Sequence, residues 1–165
     1  MKKLIILFFL SLIGILGYSQ IVENGTVYMK HPNIDAVIKS TEAYVAKDIN
    51  TEKTLYADTA KWWISGLPRP IQMAEAYKMW LNDFTYFDSI QQVKQPGSYP
   101  DYIHYKDQDQ KTVISWWVWS GNSKKTGEKV TVWCTQFDNF NGEDKIVFES
   151  IYGDFSKILK EEEVK

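Results

Sequence analysis

One cysteine and two histidines are all that this 165-residue sequence holds of thiol and imidazole chemistry. Cys134 has no second cysteine to pair with, so an intramolecular disulfide is excluded and the core alone must hold the chain together. His31 stands beside Pro32, and His104 lies between Tyr102 and Tyr105. Neither has neighbours at ligand spacing, and a zinc site needs three or four ligands, so no metal is expected. A glycine-rich phosphate loop and a serine-nucleophile elbow are also absent, and no cofactor is expected. Positive charge is sparse. Of 19 Lys and Arg, Lys2 and Lys3 open the chain; the remaining 17 face 21 Asp and Glu, a net charge of −4. With no basic stripe or patch, nucleic acid is not an expected partner.

What is present begins with Met1-Lys2-Lys3, an apolar run from Leu4 to Gly17, and Tyr18-Ser19-Gln20. A basic start, an apolar segment and small residues at Gly17 and Ser19 read as a secretory signal over residues 1–19, cleaved before Gln20. The competing reading is a membrane anchor, but the run falls short of the about 20 residues that span a bilayer. No cysteine near the cut supports lipid anchoring. The expected location is therefore periplasmic or extracellular, with no membrane association after cleavage. The seven tryptophans all fall between Trp62 and Trp133, each able to bury a large apolar area.

Residues 20–32 show no clear period and read as an extended lead-in. Pro32-Asn33 precede a helical pattern (Ile34, Val37, Ile38, Thr41, Tyr44, Val45) that Asp48-Ile49-Asn50 breaks. Asn50 is expected to cap a second helix through Tyr56, and Ala60–Ser65 is a strand ended by Gly66. A third helix is expected from Arg69-Pro70, carrying Met73, Tyr77, Trp80, Leu81 and Phe84; the plain reading of that aromatic face is core. The period then changes to two, predicting strands at Thr85–Lys94, Asp101–Lys106, Thr112–Ser120, Lys129–Phe137 and Lys145–Tyr152. Pro96-Gly97, Gly121-Asn122 and Asn141-Gly142 read as turns, and the short connections predict an antiparallel meander. Phe155–Leu159 reads as a last turn of helix, and residues 161–165 as a solvated charged tail. The class is α+β, with one domain over residues 33–160. On strand Thr112–Ser120, Val113, Trp117 and Trp119 lie on one face, and Ile114, Trp116 and Val118 on the other. Such a strand needs cover on both faces, by helices on one and by a second subunit or an exposed aromatic patch on the other.

The element order, with Leu55-Tyr56-Ala57-Asp58-Thr59-Ala60-Lys61-Trp62 and Phe140-Asn141-Gly142-Glu143-Asp144-Lys145-Ile146-Val147, resembles the nuclear transport factor 2-like superfamily. That superfamily includes the SnoaL-type polyketide cyclases and the ketosteroid isomerases. The resemblance implies a strongly curved sheet wrapped around three helices, a cone with a pocket at its open end. It would point Trp62, Ile64, Val132, Cys134, Gln136, Val147, Glu149 and Ile151 into the cone, with Tyr44, Tyr77 and Trp80 from the helices. The isomerases' carboxylate base would fall at Ile64, which takes no proton. Their oxyanion-hole acid would fall at Gln136, an amide, and Tyr44 could serve as a first-helix hydroxyl donor.

Glu149 is the remaining acid/base candidate, since a carboxylate between Val147 and Ile151 on an inward face has its pKa raised by desolvation. The plainer reading pairs it with a lysine or an amide at the pocket rim. Asp58 reads as a turn tie, Asp88 and Asp138 as solvated strand-flanking acids, and Cys134 as an inert buried thiol. The leading expectation is an exported domain binding a small apolar or aromatic ligand at Tyr44, Trp62, Ile64, Tyr77, Trp80, Cys134, Gln136, Glu149 and Ile151, as a homodimer through the outer sheet face. The alternatives are a lyase, isomerase or cyclase with Glu149 as base and Gln136 as oxyanion donor, and a protein-interaction module using the outer tryptophans.

Overall fold

The computed structural model describes residues 23–107 and 109–162. The segment read as an export signal lies outside these described residues. The lead-in contains a strand, β1 (Gly25–Tyr28), that pairs antiparallel with a later one. Helix α1 (Pro32–Ala46) starts at His31, whose Nδ1 accepts the Asn33 N–H at 3.1 Å. Pro32 occupies the first turn, where a missing N–H loses no helical bond. The His31 ring also stacks on Tyr102 with centroids 3.7 Å apart, so this histidine ties the helix start to the sheet. Ile34, Val37, Thr41 and Tyr44 recur at helical spacing and are all buried.

Asp48 caps α2 (Ile49–Leu55) in place of the expected Asn50; its carboxylate accepts the Thr51 N–H at 3.1 Å and the Thr51 hydroxyl at 2.5 Å. Strand β2 (Tyr56–Ile64) begins at Tyr56, so Asp58 is an exposed strand residue and ties no turn. Gly66 ends this segment at φ 105°, a conformation that favours glycine, and an added Cβ would lie 2.5 Å from the Leu159 side chain. A short β3 (Ile71–Gln72) pairs with Lys61 and Trp62. That pairing holds the chain extended past Pro70, so α3 (Met73–Tyr86) starts at Met73 instead of Arg69.

The remaining elements are β4 (Phe87–Lys94), β5 (Asp101–Tyr105), β6 (Lys111–Ser123), β7 (Lys129–Phe140), β8 (Ile146–Tyr152) and α4 (Ser156–Glu161). They complete an eight-stranded sheet in the order β1-β5-β6-β7-β8-β2-β3, with β4 also paired to β6. The expected meander holds from β5 to β8 and fails at its first strand. β4 skips β5 and pairs with the second half of β6, Gln92 opposite Trp119, while β5 takes the first half, Ile103 opposite Thr112. β2 joins β8 in parallel, Trp62 opposite Glu149. The expected turn at Gly121-Asn122 is strand, because β6 runs on to Ser123. An added Cβ on Gly121 would sit 3.0 Å from Trp119 and 3.2 Å from Phe87, two rings packed edge-to-face at 5.3 Å. This glycine makes room for aromatics; the turn follows at Gly127, φ 73°.

Helices in the N-terminal half and the curved, unclosed sheet give the expected α+β cone. Val113, Ser115, Trp117 and Trp119 are buried on the inner face of β6, with Ile114, Trp116 and Val118 half-buried on the outer one. Trp62, Trp80, Trp117 and Trp119 all belong to the core. Each removes about 150–250 Å² from water, about 4–6 kcal/mol as an upper estimate before entropy is counted. A disulfide contributes about 2–4 kcal/mol, so the tryptophans outweigh the missing bridge. Among the described residues no helix is long and apolar enough to cross a membrane.

Candidate functional site

Strand alternation sends Trp62 and Ile64 from β2, Gln136 and Asp138 from β7, and Glu149 and Ile151 from β8 to the concave side. Helical spacing adds Ser40 and Tyr44 from α1 and Trp80 and Asp83 from α3. All of these but Asp138 border a partly open cavity of about 70 Å³, walled also by Glu52, Met79, Trp119, Phe155, Leu159 and Glu162. An enclosed apolar cavity of roughly 150 Å³ holds a benzene molecule, so this one takes a small molecule or the end of a larger one.

The walls carry two hydrogen-bonded clusters of acids. In the first, Glu149 accepts the Tyr56 hydroxyl on Oε2 and the Trp62 indole N–H on Oε1 at 2.8 Å. Ser40 Oγ lies 3.1 Å from the same Tyr56 hydroxyl and donates to Glu52 Oε2 at 2.9 Å. Asp138 stands opposite Glu149 in the ladder and shares a hydrogen bond with it. It also receives both contacts of the Gln136 amide nitrogen, at 3.1 and 3.0 Å. Burial pushes all three carboxyls upward: Glu149 is raised, Asp138 well raised with the Glu149 charge adding to it, and Glu52 raised to about 9.

In the second cluster, Tyr44 donates to Asp83 Oδ2 at 2.5 Å and accepts the Trp119 indole N–H at 2.9 Å. The Glu162 carboxyl stands beside Asp83, whose charge acts on it. Burial raises Asp83 to about 6; burial and then Asp83 raise Glu162 to about 9. Two buried acid oxygens, Glu52 Oε1 and Glu162 Oε1, have no hydrogen-bond partner among the described residues. Among the described residues no lysine, arginine or histidine lines the cavity. Among the described residues no three His, Cys, Asp or Glu side chains are grouped so as to hold a metal ion.

Of the nine residues expected at the site, Tyr44, Trp62, Ile64, Trp80, Gln136, Glu149 and Ile151 border this cavity. Tyr77 does not; its ring packs edge-on to Trp80 at 5.4 Å, half-buried. Cys134 is buried away from the cavity walls, its Sγ 3.7 Å from the Trp117 carbonyl oxygen, and burial pushes the thiol up to about 12. Val132 is core, and Val147 falls where the β7–β8 register shifts. Three expectations are corrected. Asp138 is fully buried, because β7 continues to Phe140 and keeps its alternation. Glu162, in the segment read as a solvated tail, is buried in the cavity wall. Glu149 is held by Tyr56 and Trp62 and faces Asp138, with no lysine or amide partner among the described residues. Sequence reading also missed Glu52 and Asp83. Asp83 was accessible to it, since the buried stripe of Ala76 and Trp80 continues to that position.

No protein-family model matches the chain, and no curated protein matches its sequence. Solved structures do match its fold. A ketosteroid isomerase-like protein from Catenulispora acidiphila, in complex with trimethylamine, superposes with a TM-score of 0.58 at 14% identity, covering 79% of this chain and 94% of that one. IdmH from Streptomyces antibioticus, a candidate polyketide cyclase, gives 0.62 at 17% identity, with 81% and 100% covered. The pinacolase BvnE from Penicillium brevicompactum gives 0.65 at 10% identity, with 90% and 100% covered. The chain therefore has the nuclear transport factor 2-like fold that the sequence resemblance implied.

Proposed function

We propose that this is an exported nuclear transport factor 2-like domain that binds a small molecule in its cone, with Glu149 as the recognising polar group. The observation that carries the reading is the placement of Glu149. It is a buried carboxyl fixed by two side-chain donors at the edge of a partly open, tryptophan-walled cavity. Concave apolar sites with a few convergent polar groups are the usual form of a ligand site. The cavity volume favours a ligand smaller than the polycyclic compounds its aromatic walls suggest. A similarly folded protein holds trimethylamine, a molecule in that size range.

Tryptophan fluorescence reads occupancy directly, because Trp62, Trp80 and Trp119 line the cavity. A thermal-shift and fluorescence screen of small metabolites is expected to give hits whose affinity drops about tenfold or more in Glu149→Gln, the scale of a hydrogen bond to a charged group. A screen without hits, or hits indifferent to Glu149→Gln and Trp62→Phe, counts against the reading. Export is read out by cell fractionation of the full chain and of a chain lacking residues 2–19.

The second reading is acid–base catalysis, favoured by the hydrogen-bonded Glu149–Asp138 pair with both groups displaced upward. Two of the similarly folded proteins carry enzyme names. Ile64, at the isomerase base position, borders the cavity without a proton to exchange, and the Gln136 amide is directed at Asp138. A catalytic role thus rests on Glu149, and turnover that survives Glu149→Gln eliminates it.

A further inference from the structure

The cavity wall is chemically one-sided. Glu52, Asp83, Glu149 and Glu162 line it, and among the described residues no side chain of opposite charge does. A buried carboxyl ordinarily finds a cation or a full set of donors, because removing it from water otherwise costs several kcal/mol, about 1–3 per unmade hydrogen bond. Here two buried oxygens of that wall, Glu52 Oε1 and Glu162 Oε1, find no partner among the described residues, although Glu52 is fully buried and Glu162 nearly so. The aromatic part of the wall has its own geometry. Trp80 stands at 78° to Trp62 and 79° to Tyr44, with centroids 5.9 and 6.0 Å apart, and Trp119 completes the set. All three tryptophan rings border the one cavity, and tryptophan attracts cations most strongly of the aromatic side chains.

We propose that the ligand of this cavity is a small organic cation, an alkylated ammonium, held against the Trp62, Trp80 and Trp119 walls and balanced by the Glu52, Glu149, Asp83 and Glu162 carboxyls. This rests on the reading of the cavity as a binding site and names the class of its ligand. An anion would meet four acids and no donor of positive charge. A neutral apolar molecule would leave the two orphan oxygens unanswered. A metal ion needs a ligand set in fixed geometry, and no such grouping occurs among the described residues. An alkylated ammonium needs no fixed coordination number and presents a diffuse charge to rings and carboxyls alike.

The cation also resolves the electrostatics of the clusters. Around Glu149 stand Tyr56, Asp138, Glu52, Tyr77 and Cys134; around Glu162 stand Asp83 and Tyr44. All are acids, phenols or a thiol, and burial displaces each toward its neutral form. A bound cation favours the ionised carboxylates, so binding expels protons and tightens as pH rises.

Calorimetric titration with tetramethylammonium and with tert-butanol tests this, since the two are close in size and shape and differ in charge. The cation is expected to bind at least about tenfold more tightly, to release protons (seen as buffer-dependent heat), and to gain affinity from about pH 5 to pH 8. Glu52→Gln is expected to weaken the cation about tenfold and leave the alcohol unchanged. Glu162→Gln, at the C-cap of α4, supplies the same comparison where Glu52→Gln fails to fold. Equal binding of both probes, or a cation indifferent to both variants, overturns the cation assignment and leaves the binding reading standing. Silence from both probes overturns it too, and extends to the binding reading only if the metabolite screen is also silent.

Discussion

At the scale of single residues the unusual feature is the number of acids held out of water. Glu52 is raised from 4.5 to about 9 in the folded chain, and Glu162 by the same amount. Between those values the folded state holds protons that the unfolded state has lost. Their contribution to stability is therefore complete below about pH 4.5 and lost as pH rises toward about 9. Thermal unfolding followed by circular dichroism is expected to show the midpoint falling across that range. Glu52→Gln, which keeps the shape and removes the titration, is expected to flatten the fall. Glu149 was legible in the sequence, because Val147-Glu149-Ile151 alternates as an inward strand face must. Glu52 was not. It lies on a helix of seven residues, too short to display a period, and its burial is set by Ser40 on a different helix. Asp138 was lost to a boundary: a strand drawn as ending at Phe137 leaves it outside, and three more residues of strand bring it in.

At the scale of elements, long periodic segments were read correctly, as were the turns at Pro96-Gly97 and Asn141-Gly142, whereas Gly121 and Pro70 were misread. α1 and β7 follow their apolar periods closely. Gly121 was taken as a turn signal because glycine after a strand commonly is one. Its actual role is to leave space beneath Trp119 and Phe87, which no local pattern reveals. Gly121→Ala is expected to destabilise by about 1–3 kcal/mol, the usual cost of forcing an extra carbon into a packed core. Urea unfolding measures it, and a midpoint unchanged from wild type would count against this packing role. The start of α3 was displaced for a similar reason. Pro70 is tolerated in a first helical turn, but pairing of Ile71 and Gln72 with β2 takes the backbone first.

At the scale of the whole molecule the sheet has two faces of different character. The inner one is closed by helices. On the outer one, Ile114, Trp116 and Val118 of β6 adjoin Trp133 and Phe137 of β7 and Tyr152 of β8; Trp133 is 59% exposed and Tyr152 51%. No charged side chain interrupts that set, so two copies brought together by a twofold axis meet without repulsion. We propose that this face forms a homodimer. Light scattering is expected to give twice the chain mass, and Trp133→Lys with Phe137→Lys to give the monomer. A monomeric wild type at micromolar concentration would end the proposal. The class was legible from element order, and the cone followed from the resemblance to the nuclear transport factor 2-like superfamily. The parallel union of β2 with β8 was not, because periodicity within a strand says nothing about which distant strand will lie beside it.

That union also dictates when the pocket can exist. Glu149 receives its two donors from residues 87 and 93 positions earlier, and Lys145 reaches back 91 positions to the Thr54 carbonyl. Closing loops of that span precedes any reward from the contacts, which places such chains among slow, millisecond-to-second folders. The first helices and β2 must wait, with tryptophans uncovered, until nearly the last strand is available. A chain emerging in order from a ribosome or a translocation channel therefore passes its most aggregation-prone interval before β8 arrives, and its cavity is among the last features to form.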